Sequence, residues 1–146
     1  MKSKTTTAWL AFTLGIFGAH RFYLRGWGDL LGWLLPIPTA LGLYGIARAR
    51  MYGLDDAASW LLIPCMGFTF AACALTAIVY GLMSPEKWRA YMGYPADAPV
   101  GQTHWGTVIA VVLSLLVGAS VLMGSIVFSF QRYFEYQVVL AQELSQ

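Results

Sequence analysis

Two long hydrophobic segments dominate the pattern of apolar and polar positions along the chain. Ala57 to Met83 contains 27 residues and Trp105 to Phe130 contains 26, and neither segment includes a charged side chain. A helix of about 20 such residues crosses the ~30 Å hydrocarbon core of a bilayer. Both segments are therefore predicted to be transmembrane helices.

Two further hydrophobic segments come before these. Gly26 to Ala47 is interrupted by Asp29 near its start and by Pro36 and Pro38, which a membrane helix tolerates as a kink. Ala8 to Ala19 has 12 residues without charge, which gives about 18 Å of helix. This first segment is either a short span or one that enters the bilayer and returns. The pattern predicts about four transmembrane helices, the first one short.

Polar segments separate the predicted helices. Residues 48–56 and 84–104 are rich in charges and in turn formers such as Ser-Pro and Ala-Pro, which predicts loops. The spacing of apolar residues after Phe130 predicts a C-terminal amphipathic helix along the membrane interface. The predicted organisation is a helix pair over 1–53, a second transmembrane hairpin over 54–130 with the polar loop 84–104, and an interfacial tail over 131–146.

The composition agrees with lipid as the main solvent. Hydrophobic residues make up 58% of the chain and charged residues 11%, against about 25% charged in an ordinary soluble domain. The net charge is +2, and the nine basic side chains are scattered singly or in pairs, unlike the basic stripe that follows nucleic-acid phosphates. We predict an all-α integral membrane protein, expected in a bacterial inner membrane, in contact with membrane lipid and not with nucleic acid.

The segment GIFGAHRFYLR, residues 15–25, joins the first two apolar segments. Its two glycines lie three residues apart, so another backbone can approach closely. The basic pair that follows marks the level where the chain leaves hydrocarbon, because an Arg at the bilayer centre costs about 2.5–3.5 kcal/mol. An interfacial turn between helices is the preferred interpretation, and a specific binding site is the alternative. The candidate turn residues are Gly15, Gly18, His20, Arg21, Phe22, Tyr23 and Leu24.

The residues of this segment also carry a resemblance to a known family. The run from Lys2 to about Gly53, above all the contiguous motif over 14–24, resembles the TM-two domain (NINE protein) family. The resemblance implies two membrane helices joined by a short linker, and it implies no particular reaction. Arg25 stands where the family usually has glycine, and Arg48 lies near where its second helix often carries Asp, so the second helix is an outlying example.

Residues that could support catalysis or metal binding are few. Cys65 and Cys73 are eight residues apart on one predicted helix, about 12 Å, which exceeds the ~7 Å limit for a disulfide. They are interpreted as packing residues. His20 and His104 lie at predicted span ends, where a solvated histidine is the preferred interpretation and a haem or pigment contact the alternative. Neither enzymatic activity nor a cofactor or metal site is predicted.

Small residues recur every four positions over 73–81 and 110–118 on the last two predicted spans, and the second stripe continues to Ser125. Such stripes allow close contact between membrane helices. The two stripes either face each other within this chain, which is the preferred interpretation, or face a partner. The stripe residues are Ala110, Ser114, Gly118 and Ser125 on the last span, and Cys73, Ala77 and Gly81 on the span before it.

A non-catalytic accessory or assembly subunit is the leading hypothesis for function. Its expected partner is a larger membrane protein complex or another copy of the chain, and the alternative function is a small channel or transporter. Aromatic residues are favoured at protein interfaces, although lipid headgroups suit them equally. The candidate partner anchors are Trp88, Tyr91, Tyr94, Tyr133, Phe134 and Tyr136.

Basic residues give a weak prediction of orientation. With four spans, one side carries five Lys and Arg residues and the other carries four. Basic residues prefer the cytoplasmic side. The count predicts that both termini are cytoplasmic.

Overall fold

The computed structural model describes residues 1–53, 56–98 and 103–145, and seven α-helices account for most of them. The parts of the predicted loops at 54–55 and 99–102, and the last residue of the predicted tail, lie outside the described residues. The helices are α1 (Lys4–Leu14), α2 (Ala19–Arg25), α3 (Leu30–Leu34), α4 (Pro36–Tyr52), α5 (Ala57–Leu82), α6 (Pro85–Met92) and α7 (Trp105–Leu144).

Three helical segments are long and apolar enough to cross a membrane. They are α3 with α4 over Leu30–Tyr52, α5, and α7. Leu35, between α3 and α4, keeps helical backbone angles, so the two helices form one continuous segment. The prediction of an all-α membrane protein is confirmed at this level.

The first hydrophobic segment is a hairpin. The helix α1 has 11 residues, or about 16 Å, and the chain then turns at Gly18 so that α2 runs back beside α1. At the open end of this hairpin the Ser3 backbone N–H donates to the Tyr23 hydroxyl at 3.2 Å, and the Lys2 ammonium donates to the Leu24 carbonyl. Of the two alternatives for this segment, the structure has the one that enters and returns. The described residues therefore contain three helices of membrane-crossing length where the sequence predicts four.

The N-terminus and the C-terminal end of α7 lie at opposite ends of the helical bundle. We define the first end as the one that holds the N-terminus, where the Lys4 ammonium donates to the Met83 carbonyl at 3.0 Å and to the Thr103 hydroxyl at 2.8 Å. The second end is the one where the Trp60 ring lies 5.9 Å from the Tyr136 ring. The prediction that both termini are cytoplasmic assumes four crossings, whereas the hairpin and the three long helices separate Met1 from the end of α7.

Small residues bring α5 close to α7 on one face. A Cβ atom added to Gly118 would lie 2.6 Å from the Ala74 Cβ, and one added to Gly81 would lie 2.3 Å from a Val111 methyl group. Side chains larger than hydrogen therefore do not fit at these two glycines, and the helices pack nearly backbone to backbone.

The predicted stripe on α5 is only partly correct. Gly81 faces α7, but Cys73 faces the hairpin, since a Cβ added to Gly15 would lie 2.7 Å from the Cys73 Cβ. Small residues of α5 that closely approach α7 recur every seven positions, at Gly67, Ala74 and Gly81. Ala77 and, on α7, Ala110 and Ser114 are buried, whereas Ser125 is half-buried and approaches Gly67.

The C-terminal residues extend α7. The sequence predicts a separate interfacial helix after Phe130, but α7 continues through that point to Leu144 over 40 residues. Residues 131–144 contain neither glycine nor proline, which are the usual reasons for a helix to end. The tail and the last span therefore form a single helix.

Candidate functional site

The glycines of the GIFGAHRFYLR segment form the turn of the hairpin. Gly18 has a φ of +76°, a left-handed conformation that glycine adopts without steric cost. A Cβ added there would lie 2.1 Å from the Gly32 carbonyl oxygen. A glycine is therefore required at position 18 for two reasons: the turn needs a left-handed backbone conformation, and α3 packs too close for a side chain.

A hydroxyl group from α4 fixes the tip of the hairpin. The buried Thr39 side chain donates to the Ile16 carbonyl at 2.9 Å. A turn inside an apolar environment leaves backbone carbonyls without water, so such a donor is needed. Sequence reasoning missed Thr39, and its signal is that it is the one Ser or Thr within the predicted span 26–47.

Two arginines share one carboxylate near the first end. The Arg21 guanidinium lies 3.5 Å from Asp29, and that of Arg25 lies 4.0 Å from it. The sequence suggests the Arg25–Asp29 pair from its i, i+4 spacing, and the structure adds Arg21. The Phe22 ring stacks on Trp27 with ring centres 5.2 Å apart. The ion pairs and this ring pair hold the segment 25–29 between α2 and α3 against α2.

His20 is buried, which corrects the expectation of a solvated interfacial histidine. Its side chain is 2% exposed and its ring lies 6.4 Å from the Tyr80 ring. Its Nδ1 atom has no hydrogen-bond partner among the described residues. The α2 helix turns His20 inward toward α5, because the hairpin returns through the bundle and does not run along its surface.

The aromatic residues of α6 pack on the chain itself. Trp88 is 1% exposed and lies 5.9 Å from the Tyr80 ring, while the Tyr91 and Tyr80 hydroxyls are 3.3 Å apart. The Tyr94 hydroxyl accepts the Lys2 backbone N–H at 2.8 Å. Trp88 is therefore unavailable to a partner, contrary to its proposed role as an exposed anchor, and these aromatics close the first end of the bundle.

An ion pair fixes the second end of the bundle between α4 and α5. Two guanidinium nitrogens of Arg48 donate to Asp56, at 2.9 and 2.8 Å, and Asp56 also accepts the Ser59 backbone N–H at the start of α5. These hydrogen bonds, first from Arg48 and then from Ser59, hold the pKa of the Asp56 carboxyl well below its usual range. Asp56, which lies in the loop predicted over 48–56, thus acts as a helix cap for α5. Its carboxylate is held by Arg48 and Ser59.

The C-terminal part of α7 carries exposed aromatic and aliphatic side chains. Tyr133, Phe134 and Tyr136 are about half exposed, as are Val138 and Val139. The Tyr136 ring contacts the Trp60 ring of α5, and every described residue after Arg132 is exposed. We call residues 138–144, which lie beyond this contact, the projecting end.

A groove of about 560 Å³ lies between α5 and α7 at the second end. Its walls are mostly apolar, and Tyr133 and Tyr136 turn toward it. The two cysteines are free thiols; Cys73 is buried and Cys65 lines this groove. Among the described residues, no group of three His, Cys, Asp or Glu side chains is close enough to hold a metal ion.

Comparison with known families agrees with the motif. A family model described as the TM2 domain matches residues 1–47, which confirms the resemblance inferred from the contiguous motif. The match covers the hairpin, α3 and most of α4. Comparison with curated proteins and with solved structures gave no match. The last two membrane-crossing helices, with the groove and the projecting end, lie outside the matched segment.

Proposed function

We propose that this TM2-domain protein is a non-catalytic accessory or assembly subunit of a bacterial inner membrane. In this proposal it binds a larger membrane protein complex through the projecting end of α7. The length of α7 carries the proposal. Its 40 residues correspond to about 60 Å, whereas a bilayer with its headgroups is about 40–45 Å thick.

The apolar side chains of the projecting end support binding to a protein rather than to lipid. If Trp105 lies at one interface, Arg132 lies about 40 Å further along the helix, at the opposite headgroup layer. The four large aliphatic residues of the projecting end then extend past the headgroups into water, where exposed apolar surface marks an interaction site. These residues and their exposed fractions are Val138 56%, Val139 51%, Leu140 38% and Leu144 82%.

The distribution of basic residues supports an orientation. With three crossings, six of the nine Lys and Arg residues lie at the first end and three at the second. The positive-inside rule then places the first end in the cytoplasm. The difference in basic residues between the two sides is three, whereas it is one with four spans. We therefore propose that the projecting end lies outside the cytoplasm. The residues at the first end are Lys2, Lys4, Arg21, Arg25, Lys87 and Arg89, and those at the second end are Arg48, Arg50 and Arg132.

Site-specific crosslinking in native membranes tests the proposed binding surface. A photoreactive amino acid at Val138 or Leu140 is expected to give one discrete protein adduct, because both side chains lie on the projecting end. Leu43, which is 53% exposed on α4, is the matched control and is expected to give no protein adduct. Adducts of the chain with itself would indicate an oligomer. The absence of any protein adduct from Val138 and Leu140 would contradict a partner at this surface.

A further inference from the structure

The groove between α5 and α7 contains a buried cation at one end. Arg132 lines the groove and is 8% exposed, although it follows a long apolar run of α7. One guanidinium nitrogen donates to Glu135 at 2.7 Å. The Nε atom is buried and has no hydrogen-bond partner among the described residues. A buried charged donor without an acceptor is costly, so this atom indicates a missing acceptor.

The rest of the groove is apolar and elongated. On α5 it extends from Ala57 to Phe68, which is about 16 Å along the helix axis. Leu61 and Pro64 contribute to its wall. A flexible hydrocarbon chain fits such a surface without an unsatisfied polar group, whereas a water-soluble ligand does not.

The order of these features along the bilayer normal matches a phospholipid. Trp60 and Tyr136 meet at the same level as Arg132, and Trp and Tyr are enriched at the level of the headgroups. The apolar part of the groove leads from this level toward the membrane interior.

We propose that the groove binds one anionic phospholipid, with a phosphate oxygen on the Arg132 guanidinium and an acyl chain along α5. Arginine presents five N–H donors in a planar arrangement that suits phosphate. Glu135 occupies one of these donors, and its side chain is 45% exposed, so it lies on the solvent side of the pair. In this proposal the phosphate accepts from guanidinium donors that Glu135 does not occupy. This site is independent of the partner proposed above, because lipid binding is measured on the purified protein alone.

Lipid titration of the delipidated protein, followed by native mass spectrometry, tests the proposal. We expect phosphatidylglycerol to bind more tightly than diacylglycerol with the same chains, and Arg132→Gln to weaken phosphatidylglycerol binding about tenfold, because a charged hydrogen bond is lost. Arg50→Gln is the matched control, since Arg50 is an exposed arginine on α4 near the same end of the bundle, and it should leave binding unchanged. Equal affinity of Arg132→Gln and the unchanged protein would overturn the proposal.

Two further experiments distinguish the contribution of the lipid headgroup from that of the acyl chain. Glycerol phosphate, which has no acyl chain, should not displace the lipid at equal concentration; if it does, the site binds phosphate alone and the proposal is wrong. Cys65→Phe places a ring in the groove and should weaken both lipids, whereas Val79→Phe enlarges an exposed position of α5 that does not line it. Unchanged binding by Cys65→Phe would overturn the acyl-chain assignment even if Arg132→Gln did not fold.

Discussion

Gly18→Ala is expected to prevent the protein from folding, or to destabilise it by at least about 4 kcal/mol, a loss seen only where a specific mechanism applies. The new Cβ atom would lie 2.1 Å from the Gly32 carbonyl oxygen. This neighbour is backbone, so the clash cannot be relieved by a change of rotamer. The residue would also occupy a left-handed conformation that disfavours L side chains. The expected result is little or no monodisperse protein after detergent extraction, measured by fluorescence-detected size exclusion.

Gly93→Ala is the matched control for this prediction. Gly93 has a φ of +67°, close to that of Gly18, but a Cβ atom added to it meets nothing within 4 Å. It should therefore lose only about 1–2 kcal/mol, the cost of the backbone conformation alone. Equal yields and thermal midpoints for the two variants would show that the close approach of α3 to the hairpin turn does not stabilise the fold.

Truncation after Gln137 is expected to abolish association with the partner complex while leaving membrane insertion intact. The shortened chain retains the three membrane-crossing segments and the residues that line the groove. It loses the four large aliphatic side chains of the projecting end. If the partner covers each of them, the loss is roughly 1 kcal/mol or more per side chain, so affinity should fall at least about a hundredfold.

Blue-native electrophoresis of solubilised native membranes measures this change. The full-length chain should migrate with a larger complex, and the truncated chain should migrate alone at unchanged abundance. Leu116→Ala in the full-length chain, at an exposed position of α7 outside the projecting end, controls for a general effect of changing this helix. Undiminished association after truncation would remove the projecting end from the interface.

The long helices α5 and α7 could be predicted from the sequence, but the hairpin formed by α1 and α2 could not. Uninterrupted apolar runs over α5 and α7 are sufficient evidence for a span, because few other structures need so many apolar residues in succession. The first segment is too short for this argument, and the positive φ of Gly18 is not visible in the residue type alone. The sequence therefore leaves open whether this segment crosses the bilayer or turns back. The hydrogen bond between Ser3 and Tyr23 shows that the two ends of the segment lie side by side.

The candidate site was predictable in its residue types more than in its contacts. The glycine motif correctly points to close packing, but the partners of Gly15 and Gly18 come from α5 and α3, which depend on tertiary structure. His20 is buried because the hairpin returns through the bundle, and Trp88 is buried because α6 packs on the first end of the bundle. The spacing of apolar residues in the sequence predicts neither arrangement. Arg132 gave no signal in the sequence beyond a single charge after a long apolar run. Its significance comes from burial and from an unpaired Nε atom.

The hairpin and the three crossings are the central claim, because they place the projecting end opposite the N-terminus. Labelling with a membrane-impermeant maleimide tests this most directly, in chains that lack Cys65 and Cys73 and carry a single new cysteine. The three positions are a short tag ahead of Met1, Glu86→Cys on α6 and Ser145→Cys after α7. The structure predicts that the tag and Glu86→Cys are protected together in intact cells, while Ser145→Cys is labelled from outside. Labelling of the tag and Ser145→Cys from the same side, with Glu86→Cys on the other, would indicate four crossings and contradict the account.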